Sequence, residues 1–151
     1  MIQVTRSRQI AAQPDAVFAT LADPDNLAGV VPHVHKIELV ERGASHARVV
    51  THMAIGPFGD LRSEGTVRWQ TNREVVFNTT RPVPVEARWQ LRPNSGGTAL
   101  HATLSLDLAA LIGPLAAFVP TAEVARMIAP DLDTALAAIA SRAEMSLQEA
   151  I

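Results

Sequence analysis

Leu61-Arg62-Ser63-Glu64-Gly65-Thr66-Val67-Arg68-Trp69-Gln70 alternates over its whole length. Leu61, Ser63, Gly65, Val67 and Trp69 share one face of an extended strand. Arg62, Glu64, Thr66, Arg68 and Gln70 share the other, and all of these are polar. A strand with one wet side belongs to an antiparallel sheet that covers a core with a single face. The same period of two recurs upstream, where His33, His35, Ile37 and Leu39 oppose Lys36 and Glu38, and Ala47, Val49, Thr51, Met53 and Ile55 oppose Arg48, Val50 and His52. Downstream, Val75 and Phe77 point inward. Val85, Ala87, Trp89 and Leu91 then oppose Glu86, Arg88, Gln90 and Arg92, and Leu100, Ala102, Leu104 and Leu106 oppose His101, Thr103, Ser105 and Asp107. Turn formers divide these runs at Arg42-Gly43-Ala44-Ser45, Gly56-Pro57-Phe58-Gly59, Asn72, Pro82 and Pro84, and Pro93-Asn94-Ser95-Gly96-Gly97. Connections this short make successive strands antiparallel neighbours.

The flanks complete an α+β chain. Residues 2–10 set Ile2, Val4 and Ile10 on one face, with Arg6 and Arg8 in the same register. Pro14 opens a helix with the apolar stripe Val17, Phe18 and Leu21, and Asp23-Pro24 closes it. Pro24 to Val30 reads as a second short helix stopped by Pro32. After Asp107 the apolar residues fall at three- and four-residue spacing, divided by Pro114, Pro120 and Pro130. Thr121 reads as the cap of a new segment, and Pro130 either kinks a long helix or restarts one. The helix beginning near Ala109 is the one later element long enough to cover the sheet. One helix across a curved sheet leaves space beneath it, and that space is the expected ligand cavity.

Composition narrows the function. At 151 residues the chain reads as a single domain, 1–151, large enough for a substantial core. Net charge is −2 with no basic cluster, which argues against nucleic acid as a partner. The absence of Cys excludes disulfide, thiolate and Cys–zinc chemistry. The strand pattern begins at Ile2, leaving no room for a signal peptide. The most apolar stretch, Leu108 to Val119, is interrupted by Gly113 and Pro114 and falls short of the ~20 residues a spanning helix needs. The expectation is a cytoplasmic protein without integral membrane association, with a homodimer left open.

Particular residues strengthen the reading. Ala11-Ala12-Gln13-Pro14-Asp15-Ala16-Val17-Phe18, Leu21-Ala22-Asp23-Pro24-Asp25-Asn26-Leu27 and Gly96-Gly97-Thr98-Ala99-Leu100 resemble the strand-to-helix passage, the inter-helix link and the last hairpin of the START/Bet v 1-like (SRPBCC) superfamily, which includes bacterial polyketide cyclases and dehydrases. Ile55-Gly56-Pro57 followed by Gly65-Thr66-Val67 is also similar to the branch that contains a carbon monoxide dehydrogenase accessory protein. The resemblance implies a helix-grip fold. In it, a seven-stranded antiparallel sheet wraps around a long C-terminal helix, two short helices follow the first strand, and a cavity is enclosed.

Several residues are candidates for chemistry. His33-x-His35 places two imidazoles on one strand face, but His52 has outward parity and no carboxylate joins them, so no metal site is expected. His35 suits proton transfer at neutral pH. Arg6, Arg8 and Arg81 fall where a charge must pair, snorkel or hold an anionic group. Thr51 and Ser63 are small polar groups on an apolar wall that Met53, Trp69, Phe77 and Trp89 also form, with Phe118 and Met127 meeting them from the helix. No phosphate loop or nucleophile elbow is present, and no cofactor is expected. With no Tyr in the chain, the cavity tyrosine used by family cyclases has no counterpart. Three readings follow. The first is a binder of an apolar or aromatic small molecule (polyketide-, lipid- or isoprenoid-like) in the cavity. The second is a cyclase or dehydratase that templates its substrate, with His35 as base and Arg6 or Ser63 holding an oxygen. The third is an accessory protein docking on a partner enzyme or a membrane through Leu111, Leu115 and Phe118.

Overall fold

Seven strands form one antiparallel sheet, in a computed structural model that describes residues 2–22, 34–54, 60–81, 84–107, 113–118 and 120–149. The strands are β1 (Ile2–Ile10), β2 (Val34–Arg42), β3 (His46–Ala54), β4 (Asp60–Gln70), β5 (Glu74–Arg81), β6 (Val85–Asn94) and β7 (Gly97–Leu106). Their spatial order is β1-β7-β6-β5-β4-β3-β2, so β1 and β2 are the two edges. Helix α1 (Pro14–Ala22) follows β1, a short 3₁₀ helix spans Gly113–Phe118, and α2 (Thr121–Glu149) closes the chain. This is the seven-stranded, helix-covered α+β architecture expected. The second short helix expected at Pro24–Val30 and the turn at Gly56–Gly59 lie outside the described residues.

The covering helix begins later than the sequence pattern suggests. Gly113–Phe118 is 3₁₀, and α2 starts at Thr121, because Pro114 and Pro120 cannot supply the amide protons a continuous helix needs. The carbonyl of Pro120 accepts from the amides of Glu123 (3.1 Å) and Val124 (3.2 Å), so Pro120 rather than Thr121 holds the capping position. Pro130 neither breaks nor restarts α2, which runs through it. Thr134 Oγ1 donates to the Pro130 carbonyl at 2.9 Å.

The core is concentrated at one end of the sheet. Ile10, Val17, Leu21, Leu100, Leu136 and Ile139 are fully buried there, with Trp89 and Leu91 beside them. Each such aliphatic contributes about 1.5–3 kcal/mol by leaving water. At this end Thr98 Oγ1 donates to the Ala12 carbonyl at 2.7 Å, and Glu144 Oε1 accepts from the Ala11 amide at 3.0 Å, tying the strand ends to α1 and α2. Gly97 has φ +127°, and a Cβ on it would collide with the Ile10 carbonyl oxygen. Only glycine lets the last hairpin close that tightly.

Candidate functional site

The inner face is not filled evenly. α2 lies against β1, β7 and α1, and α1 lies against β5, β6 and β7. Among the described residues no helix makes comparable contact with β2, β3 or β4. Val75, Trp89 and Ala102, aligned across β5, β6 and β7, are buried in the core. The next aligned row, Val67, Phe77, Ala87 and Leu104, is entirely apolar, yet each member is only half-buried. Val85 and Leu106, one row further, are half-buried as well. Apolar side chains in mid-sheet on the inner face lose their main stabilising term when left uncovered. The sheet therefore presents an open apolar wall on the side away from the packed core. Val124, Ala125 and Ile128 of α2 are half-buried too.

Small hydroxyls edge this wall. Thr51, Ser63 and Thr79 are buried; Thr51 and Ser63 are direct cross-strand partners, and Thr51 Oγ1 donates to the Ser63 carbonyl at 3.4 Å. Gly65 between them faces Thr79 on β5. A Cβ there would lie 2.5 Å from the Asn78 carbonyl oxygen and 3.3 Å from Phe77 Cε2, so the bare glycine lets the Phe77 ring settle against β4.

Of the aromatic candidates, Trp69 and Phe77 are half-buried on the inner face, whereas Trp89 is part of the closed core. Phe118 and Met127, expected to meet these rings from the helix, are instead 83% and 75% exposed. The late start of α2 leaves both on its outer approach rather than over the sheet. Of the docking residues, Phe118 is exposed, while Leu111 and the Leu115 side chain lie outside the described residues.

Two bulges re-aim β2. Val34 pairs with Met53 and Lys36 with His52, so His35 is the extra residue of a bulge and falls out of the regular alternation. The side chains of His35, Met53 and Arg81, and all of His33, lie outside the described residues. Arg81 pairs with Glu64, which is the outer register. The second bulge is at Val40: Leu39 pairs with Val49 and Glu41 with Arg48, so Arg42 pairs with Ala47 and enters the inner register. Its guanidinium carbon lies 5.5 Å from the centroid of the Trp69 ring. In the sequence pattern Arg42 is only the first residue of a turn. The adjacent apolar pair Leu39-Val40, which breaks the period of two, is the one signal that points to its different placement.

Arg6 keeps its inner register, opposite Ala102, but is half-exposed and pairs with Asp133 of α2 at 3.6 Å. It lies on the opposite edge strand from His35, and three strands separate it from Ser63. On the outer face of the β2–β3 pair, Glu38 lies 3.1 Å from His52 Nε2 and 3.0 Å from Lys36 Nζ. The hydrogen bond from His52, then the hydrogen bond and charge of Lys36, hold its carboxyl below the ordinary value of 4.5. Among the described residues no three His, Asp or Glu side chains converge to hold a metal ion. A shallow polar groove of about 530 Å³ between Pro14 and the Thr71–Arg73 turn lies at the packed end, away from the apolar wall.

The model of the family described as polyketide cyclase / dehydrase and lipid transport matches residues 1–144. No curated protein matches the sequence. Among solved structures, a Thermus thermophilus protein superposes with a TM-score of 0.79 at 20% identity, over 95% of this chain and 98% of that one. The Zhui aromatase/cyclase of Streptomyces sp. R1128 gives 0.75 at 20% identity, over 96% and 94% of the two chains. A START superfamily protein of Mycobacterium smegmatis gives 0.73 at 16%, over 95% and 97%. These likenesses establish a shared fold. No helix among the described residues is long and apolar enough to cross a membrane.

Proposed function

The chain belongs to the polyketide cyclase / dehydrase and lipid transport family, and on that footing we propose that it binds an apolar or aromatic small molecule, polyketide-, lipid- or isoprenoid-like, between the inner face of the sheet and α2. The observation that carries this reading is the half-buried row Val67, Phe77, Ala87 and Leu104. Covering that row with a ligand gains about 0.8 kcal/mol per buried methylene, and Thr51, Ser63 and Thr79 supply the few polar groups that fix orientation in such pockets. Native mass spectrometry of the protein purified from expressing cells tests the proposal. The expected result is an adduct of a few hundred daltons that is lost on denaturation, or uptake of added decanol. A bare chain that takes up no decanol refutes it.

A second reading, supported by the likeness to an aromatase/cyclase, is a polyketide cyclase or dehydratase. The wall would template the chain, Ser63 would hold a carbonyl or enolate oxygen, and His35 would move the proton. Under this reading His35→Ala lowers turnover of a poly-β-ketone substrate by roughly 10²-fold or more; unchanged turnover removes His35 as the base. The exposure of Phe118 supports the docking role as a third reading.

A further inference from the structure

Arg42 ends the same cross-strand row that forms the apolar wall, which runs Arg42, Ala47, Val67, Phe77, Ala87, Leu104 from β2 to β7. It reaches that register only because Val40 is bulged out; unbroken alternation would have turned Arg42 to the outer face. The neighbouring charges of the β2–β3 pair are matched. Glu38 takes Lys36 and His52, and Glu41 takes Arg48 at 3.3 Å. Arg42 makes no ion pair among the described residues, and its guanidinium lies over the half-buried Trp69 ring. A guanidinium stacked on an indole keeps its N–H fork free for a planar anion. Its weak hydration lets it meet a carboxylate beside an apolar surface at lower cost than an ammonium would.

We propose that Arg42 is the head-group anchor of the site and that the ligand is an amphipathic carboxylate, its apolar body along Val67, Phe77, Ala87 and Leu104 and its carboxylate on the guanidinium above Trp69. This rests on the ligand-binding reading and adds the chemical class. From Val67 to Leu104 is three strand spacings, about 14 Å, the length of a medium acyl chain or of a few fused rings.

Displacement of the neutral fluorophore 1-aminoanthracene from the full chain tests it, with decanoate and decanol as competitors matched in length. In the unmodified protein decanoate should displace the fluorophore at roughly a tenth of the decanol concentration or less, as a charge-assisted hydrogen bond implies. Arg42→Gln should bring decanoate down to the level of decanol and leave decanol unchanged, which also shows that the site is intact. Arg42→Lys should fall between. Equal competition by the two in the unmodified protein overturns the proposal. So does an equal loss of both in Arg42→Gln, which would make Arg42 a cover for Trp69 alone. Failure of the fluorophore and both competitors to bind the unmodified protein overturns the ligand site itself, and the head-group assignment with it.

Discussion

Glu38 shows how far an exposed charge is tuned by its neighbours. Because its folded-state carboxyl is held below 4.5, its contribution to stability is present above that value and is lost as pH falls through the depressed folded value. An NMR titration of the Glu38 side-chain carboxyl should therefore give a midpoint below 4.5; a midpoint at or above it contradicts the arrangement with His52 and Lys36. The Arg6–Asp133 pair, exposed at 45% and 59% of its side chains, is a rim contact. Arg6→Ala should cost less than about 1 kcal/mol in urea unfolding, and a loss well beyond that would mean Arg6 does more than pair at the surface. Gly65 is the opposite case. Gly65→Ala pushes a methyl into the Asn78 carbonyl and against Phe77, and should cost about 1–3 kcal/mol. A variant as stable as the unmodified chain would show that β4 and β5 are looser than described.

At the scale of elements, strands are the most legible part of the sequence and their irregularities the least. The uniform alternation of residues 61–70 survives intact as β4, because turn chemistry and a wholly polar outer row fix its register. On β2 the same alternation runs, in the sequence pattern, straight through Val34-His35 and Leu39-Val40, where the backbone bulges. A bulge costs one residue of period and leaves little compositional trace, so the pattern gives His35 and Arg42 the wrong parity. The C-terminal segment has helical spacing throughout. The proline spacing, more than the apolar pattern, determines that Gly113–Phe118 is 3₁₀ and that α2 starts at Thr121. Pro130 inside α2 costs one backbone bond. Pro130→Ala should raise stability by about 1–3 kcal/mol in chemical unfolding. No gain would mean that the packing of α2 on β1 requires the local distortion proline imposes.

For the whole molecule, the sequence carries the sheet, its one-sidedness and the presence of a covering helix, because these follow from periodicity and connection length. It does not carry which part of the inner face is covered, since that depends on where α2 crosses. The crossing lies over β1 and β7 and fills one end of the core with Leu100, Leu136 and Ile139 while leaving Val67, Phe77, Ala87 and Leu104 half-buried. Parity alone groups Trp69, Phe77 and Trp89 as one wall, but Trp89 belongs to the packed end.

Ala87, at the middle of the half-buried row, probes this division most directly. Ala87→Phe adds a ring where the uncovered wall leaves open space. Measured together, the melting temperature should be unchanged or raised and displacement of 1-aminoanthracene by decanol should disappear. A fall in stability of about 1–3 kcal/mol, the cost of overpacking a filled core, in a protein whose unmodified form never bound the fluorophore would contradict the existence of that space.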